Sequence, residues 1–164
     1  MVKEAIKGLK EVRVMSDAIM HQIKEEFPAA GEGNYIREVS LAYTALQKGR
    51  MYLGECQHDL GAEYPYKKTA EATKPSEIEM GADLCEGYNS LEGNNIENLI
   101  KLRGYIDKVT AMALDSYSKG RNNYDVESKF IADCHLSEAY RSLKEARMWL
   151  GCALGIIRDS ETSN

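Results

Sequence analysis

A short segment that occurs twice constrains the fold of this chain more than any other feature of its sequence. Residues 42–54 and 139–151 align without a gap at an offset of 97, and seven of the thirteen positions are identical. Self-similarity of this kind indicates an internal duplication, so we predict two related helices. Two related helices create pseudo-twofold surfaces, which suit oligomerisation or a nearly symmetric ligand. The identical pairs are Ala42/Ala139, Tyr43/Tyr140, Leu46/Leu143, Arg50/Arg147, Met51/Met148, Leu53/Leu150 and Gly54/Gly151.

Apolar residues spaced three or four apart predict four helices. Proline and glycine separate them: Pro28 ends the first helix, and Gly61 supplies the left-handed residue after the second. Asn34 precedes the second helix and is predicted to cap it through its side-chain oxygen. The predicted helices cover residues 3–26, 35–60, 94–119 and 125–158.

These helices divide the chain into three parts. Residues 1–60 are predicted to form one helical hairpin and residues 92–164 a second, with an irregular loop over residues 61–91 between them. A loop of that length in a compact domain usually carries function or is disordered. The predicted class is all-α: two antiparallel hairpins form a four-helix bundle-like domain with an internal repeat and one long loop, or each hairpin pairs with that of another subunit.

The charge and composition exclude several classes of protein. The chain has 164 residues and a formal net charge of −5, which argues against binding to long nucleic acid but allows a small anion in a local basic pocket. No stretch approaches the roughly 20 apolar residues that span a membrane, and the first residues lack the apolar run of a signal peptide, so we expect a cytoplasmic protein. The four cysteines lack metal-ligand spacing and are expected to be buried free thiols, and we predict neither a metal nor a cofactor.

Catalysis has little support in the sequence. His21, His58 and His135 each stand alone in a helix, and no nucleophile elbow, Walker loop or H-E-x-x-H motif occurs. The E-x-x-H spacing at Glu55 has no counterpart in the second copy, whereas a di-iron bundle needs two. We therefore expect a protein that is not an enzyme.

Arg50 and Arg147 are the charged residues that both copies keep within an otherwise apolar stretch. An arginine at such a place either pairs with a carboxylate, such as Glu38 or Glu145, or holds an anion. The repeated Tyr43 similarly either packs in the core or stacks on a base. The pattern alone leaves both interpretations open.

The segment from Arg37 to Leu53 has the pattern R-x-x-x-x-A-x-T-x-L-Q-x-G-x-M-x-L. It resembles the helical hairpin segment of small bacteriophage proteins that counter CBASS and Thoeris immunity. These sponges sequester cyclic oligonucleotides or cyclic ADP-ribose isomers without cleaving them, and they form oligomers with pockets between subunits. The match covers 17 residues, with a looser match upstream at 21–25. This chain is longer than the compact sponges and carries two copies of the hairpin.

The resemblance implies a sponge that holds a cyclic nucleotide or cyclic ADP-ribose-type messenger in the host cytoplasm. It also implies a homo-oligomer, with Lys24, Arg37 and Thr44 as ligand contacts. A ligand with phosphates and bases needs cations, aromatic faces and hydroxyl groups. Those needs extend the predicted site to Tyr35, Tyr43, Arg50, Tyr66, Lys67, Lys68 and Arg147. The alternatives are a helical protein–protein interaction module that inhibits an immune protein directly, and a nucleotide hydrolase.

Overall fold

The computed structural model describes residues 2–27, 33–62, 81, 93–123 and 125–163. Within them the chain forms four long α-helices and no strand. The predicted all-α class and the four-helix bundle-like arrangement are confirmed, and the predicted helix ends lie within four residues of the observed ones. The helices are α1 (Val2–Glu26), α2 (Ile36–Asp59), α3 (Asn95–Gly120) and α4 (Val126–Thr162), and a 3₁₀ turn over Arg121–Asn123 follows α3.

The starts of α3 and α4 follow the capping chemistry of their sequences. The Asn94 side chain accepts a hydrogen bond from the Glu97 N–H, and the Glu97 carboxylate accepts one from the Asn94 N–H, which is a capping box. At the start of α4, the Asp125 carboxylate accepts from the N–H groups of Glu127 and Ser128. Each side chain satisfies backbone donors that have no partner within the helix.

The two ends of α2 differ in how well the sequence predicts them. Gly61 follows the helix with φ of +84°, and its N–H donates to the His58 carbonyl at 2.8 Å. The Ala62 N–H donates to the Gln57 carbonyl at 3.0 Å, so the predicted role of Gly61 is confirmed. The prediction that Asn34 caps the start is wrong, because Tyr35 occupies the cap position and makes no side-chain cap hydrogen bond.

The four helices pack as a ring in which neighbouring helices run antiparallel. Both α1 and α4 pack against α2 and α3. On α2 and α4, Gly49 lies against Leu143, whereas Asp59 reaches His135, so residue numbers rise along one helix as they fall along the other. The core fills the centre of the ring, and every helix contributes fully buried leucines to it, including Leu9, Leu46, Leu53, Leu99, Leu102, Leu143 and Leu150.

The duplicated segment lies where α2 packs against α4. Equivalent positions have equivalent environments: Leu46 and Leu143 are fully buried, whereas Met51 and Met148 are 44% and 50% exposed. A Cβ placed on Gly49 would lie 3.2 Å from the Leu143 side chain, so the glycine lets the two helices approach closely. The two helices are therefore related by an approximate twofold axis as well as by sequence.

Most of the predicted loop over residues 61–91 lies outside the described residues. The division of the chain into two hairpins and a loop therefore stays a prediction. Gly81 is described, and it is helical and buried, so the chain is not irregular at that position. A Cβ on Gly81 would collide with the Val14 carbonyl and lie 3.1 Å from the Ala18 methyl carbon. The glycine therefore lets the backbone pack directly on α1.

Asp133 joins α3, the 3₁₀ turn and α4 at the end of the bundle. Its carboxylate accepts hydrogen bonds from Arg121 Nε at 3.0 Å, from Arg121 Nη2 at 2.7 Å and from the Tyr117 hydroxyl at 2.6 Å. The bonds from Arg121, and then that from Tyr117, lower the pKa of Asp133. A carboxylate with a lowered folded-state pKa stabilises the fold above its unfolded pKa, and it loses that contribution as the pH falls through the folded pKa.

We expect Asp133→Asn to lower the free energy of unfolding by about 1 kcal/mol at neutral pH, because solvent screens part of this half-exposed ion pair. The difference from the unchanged protein should shrink below about pH 4, where the carboxylate takes up its proton. Urea unfolding followed by circular dichroism measures both. Asp115→Asn is the matched control, since Asp115 pairs with Lys119 on the surface and should contribute almost nothing. A loss that did not change with pH would contradict this account.

Gly49→Leu should destabilise the fold by about 2 kcal/mol or more, because the new side chain has to displace Leu143 and the Ala139 carbonyl. Gly104→Ala is the matched control on α3. No atom lies within 4 Å of a Cβ at that position, so alanine should stabilise the helix by up to ~1 kcal/mol. Thermal unfolding compares the two variants. Similar melting temperatures would show that α2 and α4 do not pack closely at this point.

Candidate functional site

The two repeated arginines pair with carboxylates on the preceding helix of their own hairpin. Arg50 of α2 pairs with Asp17 of α1. Arg147 of α4 pairs in the same way with Asp107 of α3, and its Nε lies 2.7 Å from the carboxylate. The duplication therefore includes an ion pair that joins the two helices of each hairpin.

Glu38 and Glu145, the partners predicted for these arginines, have other contacts. Glu38 lies 3.8 Å from Arg37, and Glu145 accepts a hydrogen bond from Trp149 Nε1 at 3.4 Å. The prediction is wrong because the antiparallel packing of each hairpin brings an aspartate of the neighbouring helix level with the arginine.

The positions of the two aspartates identify a second, weaker repeat, which the offset of 97 does not reveal. Residues 6–17 of α1 and 96–107 of α3 align at an offset of 90. Seven more residues separate the two motifs in the second hairpin, so a search at one offset finds only one of them. The matching pairs are Ile6/Ile96, Leu9/Leu99, Arg13/Arg103 and Asp17/Asp107.

In the first hairpin, Arg13 is hydrogen-bonded to a glutamine. Arg13 Nη1 donates to Gln57 Oε1 at 2.9 Å, and Gln57 Nε2 donates to the Ile6 carbonyl at 3.0 Å. Arg13 is 7% exposed and Gln57 is 3% exposed. This guanidinium group is therefore hydrogen-bonded within the protein and shielded from solvent.

In the second hairpin, a leucine takes the place of that glutamine. The offset of 97 that relates α2 to α4 makes Leu154 the counterpart of Gln57, as Arg103 is the counterpart of Arg13. No described residue accepts a hydrogen bond from the Arg103 guanidinium group, whereas Gln57 accepts one from Nη1 of Arg13. A Cβ on Gly151 would lie 3.5 Å from Arg103 Cζ, at ordinary van der Waals distance, so the guanidinium group lies against α4.

Arg103 borders an open pocket of about 500 Å³ between α3 and α4, which we call the basic pocket. Four of its lining residues are cations, and none of those described is a carboxylate. Arg147 shares its charge with Asp107, and Lys144 lies over the Tyr140 ring, 5.5 Å from the centroid. The lining residues are Arg103, Lys144, Arg147, Met148, Gly151, Cys152, Leu154, Gly155 and Arg158.

This arrangement suits an anion. A guanidinium group presents N–H donors in a geometry that matches phosphate or carboxylate oxygens. No described residue accepts a hydrogen bond from the Arg103 guanidinium group, and a ligand oxygen in the pocket would supply an acceptor. The cations around the pocket also repel one another, so bound negative charge is stabilising there.

Two of the predicted site residues lie at equivalent places in the two hairpins. Arg147 lines the basic pocket, whereas Arg50 is held in the ion pair of the first hairpin. Tyr35 has a structural environment: its hydroxyl accepts a hydrogen bond from Asn95 Nδ2 at 2.9 Å, and its ring packs edge-on against Phe27. Tyr35 thus joins α1, α2 and α3 at one end of the bundle.

The other described site predictions lie on the first hairpin and do not line the basic pocket. Lys24, Arg37 and Thr44 are exposed, and Thr44 Oγ1 donates to the Ser40 carbonyl within its own helix. Tyr43 is half-buried against the core. The three predicted residues of the long loop lie outside the described part of the chain: Tyr66, Lys67 and Lys68.

A histidine–aspartate pair lies at the far end of the α2–α4 contact from the basic pocket. His135 Nδ1 lies 2.6 Å from Asp59 Oδ2, and the His135 ring stacks on Tyr52. Cys56 lies almost one turn before Asp59 on α2, but burial, and then the charges of Asp59 and Asp133, raise the pKa of its thiol to about 12. The thiol is therefore protonated at neutral pH and is a poor nucleophile. The prediction of buried thiols is confirmed for Cys56 and is wrong for Cys134 and Cys152, which are exposed.

Comparisons with known proteins give no relative: no family model, no curated protein and no solved structure matches the chain. Within the described residues, no group of three or more His, Cys, Asp or Glu side chains could hold a metal ion. None of the helices in that part of the chain is long and apolar enough to cross a membrane. We therefore base the proposed function on the basic pocket.

Matched substitutions of the two repeated arginines should have unequal effects on stability. Arg50→Met should cost about 2–3 kcal/mol, because it leaves the Asp17 carboxylate, 9% exposed, without its partner. Arg147→Met should cost less than about 1 kcal/mol, because Asp107 is 45% exposed and water solvates it. Denaturant unfolding of both variants measures the difference. Equal costs would mean that the two ion pairs do not differ in burial.

Proposed function

We propose that the protein binds a small phosphate-bearing ligand of the cyclic-nucleotide class in the basic pocket and holds it without chemical conversion. The observation that carries this proposal is the group of four cations around the pocket in a chain whose net charge is −5. A local concentration of positive charge on an acidic protein attracts anions and positions their oxygens.

The charge and size of the basic pocket favour a ligand with more than one phosphate. Three of its four cations have no ion pair within the described residues, and the fourth, Arg147, is ion-paired with Asp107. A phosphodiester carries a single negative charge, so two or three of them match the pocket. Its volume of about 500 Å³ lies in the range of small-molecule sites. Met148 offers an apolar side chain to a base.

Binding without turnover would make the protein a sponge for a signalling nucleotide. The resemblance of residues 37–53 to phage proteins that counter CBASS and Thoeris immunity supports a cyclic oligonucleotide or a cyclic ADP-ribose-type messenger as the ligand. Removing that messenger from the host cytoplasm would keep the immune effector inactive. The basic pocket is open on one side, and a second subunit of a homo-oligomer would cover the ligand there.

Isothermal titration calorimetry with cyclic di- and trinucleotides and cyclic ADP-ribose isomers tests the proposal. We expect one of them to bind saturably with a dissociation constant below about 1 μM, and more weakly at higher salt, because ion pairs carry the affinity. Arg158→Gln should weaken binding about tenfold. Lys7→Gln is the matched control, since Lys7 is an exposed cation outside the pocket and its loss should change nothing.

The state of the recovered ligand separates storage from turnover. A sponge releases the nucleotide intact when the complex is heated, whereas a hydrolase releases cleaved products. Saturable binding by no member of the panel would defeat the proposed function.

A protein–protein interaction module is the second candidate, and exposed apolar side chains at the start of α4 favour it. Val126 is 86% exposed, Phe130 is 69% exposed and Ile131 is 42% exposed. Neighbouring apolar side chains with such exposure are typical of contact surfaces. This function would require a protein partner that stays bound to the unchanged protein in excess nucleotide. The same partner should not bind the Phe130→Ser variant.

A further inference from the structure

We propose that Gln57 and Leu154 decide which half of the duplicated chain binds an anion. Gln57 closes the counterpart of the basic pocket in the first hairpin, whereas Leu154 leaves Arg103 available to anchor a phosphate group in the second. This deepens the proposed function, on which it rests for the class of ligand. It adds an anchoring residue and a stoichiometry of one ligand per chain.

The two hairpins differ in charge at the positions that surround the pocket. Two positions that are uncharged in the first hairpin carry a cation in the second, and a third changes from a carboxylate to a thiol. The second hairpin is therefore more positive by three charges at these positions, which favours an anion there and disfavours it in the first hairpin. The pairs are Gln47/Lys144, Gly61/Arg158 and Glu55/Cys152.

Gln57 supplies an acceptor to Nη1 of Arg13, and no described residue supplies one to the guanidinium group of Arg103. Its Oε1 lies 2.9 Å from Arg13 Nη1, and its Nε2 is fixed by the Ile6 carbonyl at 3.0 Å. The amide oxygen thus occupies the place that a ligand oxygen would take beside the guanidinium group. Both residues are buried, so this hydrogen bond is shielded from solvent.

Leu154 is also buried, at 4% exposed, but its side chain accepts no hydrogen bond. None of the described residues accepts a hydrogen bond from the Arg103 guanidinium group, although the side chain borders the pocket. Gly155 stands where the first hairpin has His58, which leaves more space on the pocket side of α4. A phosphate oxygen would satisfy Arg103 as Gln57 satisfies Arg13.

Leu154→Gln rebuilds the first-hairpin arrangement in the second and is the test. Glutamine is close to leucine in size, and the fold already accommodates Gln57 at the equivalent buried position, so we expect a folded variant. The new amide should bind Arg103 and raise the dissociation constant of inorganic pyrophosphate about tenfold or more. Leu154→Met is the comparison at the same position: methionine fills the space without offering a good acceptor, so its dissociation constant should rise less than that of Leu154→Gln.

Alkylation of Cys152 by iodoacetamide, followed by mass spectrometry, reports on occupancy of the pocket. Cys152 lines the basic pocket and is exposed, whereas Cys134 is exposed outside it and serves as the internal control. Pyrophosphate should slow the alkylation of Cys152 in the unchanged protein and in Leu154→Met, but not in Leu154→Gln. Calorimetry should give one site per chain.

If Leu154→Gln fails to fold, Arg103→Met removes the anchoring side chain instead and should cause the same loss of protection. Unchanged pyrophosphate affinity in a folded Leu154→Gln or Arg103→Met variant would overturn the inference, and so would two equivalent sites per chain. The proposed function can fail separately. Suppose that pyrophosphate protects Cys152, that Leu154→Gln abolishes this protection, and that no cyclic nucleotide binds. The inference would then stand, and the nucleotide would be excluded as the ligand.

Discussion

The structure depends on the close approach of α2 and α4, the two helices that carry the repeat. Gly49 places no side chain between them, and Leu143 fills the space that this leaves. Burial of the repeated leucines on both helices removes apolar surface from water along the whole contact. Because the helices are antiparallel and similar in sequence, the two halves of the contact have matching residues. α1 and α3 complete the ring, and each is joined to its partner helix by the ion pair of its own hairpin.

The helices could be predicted from the sequence because their positions depend on local information. The apolar spacing fixes which face of each helix is buried, and Gly61 ends α2 because the backbone there needs a positive φ. The start of α2 shows the limit of such reasoning. Tyr35 is held by Asn95 of α3 and Phe27 at the end of α1, so contacts that are distant in sequence set the helix start instead of the side chain of Asn34.

The candidate site could be predicted in part. Arg147 follows from the repeat, since a charged residue kept in both copies of an apolar helix needs a reason. Arg103 could not be predicted in this way. Its environment depends on Leu154, which is far away in the sequence, and the repeat that contains it has a different offset. The resemblance to phage sponges directs attention to the first hairpin, whereas the cations without partners in the described residues lie together on the second.

A duplicated buried arginine can be satisfied in two ways: by an acceptor within the protein or by a ligand. The first hairpin has the internal acceptor, and its repeated arginine is also paired with a carboxylate that is 9% exposed. The second hairpin has neither feature, since Leu154 accepts nothing and the aspartate beside Arg147 is 45% exposed. These differences lie within each hairpin, whereas the repeated leucines of the α2–α4 contact are fully buried on both helices. If the basic pocket binds a ligand as proposed, the duplication allows one hairpin to act as scaffold while the other keeps cations available, without loss of the core that joins them.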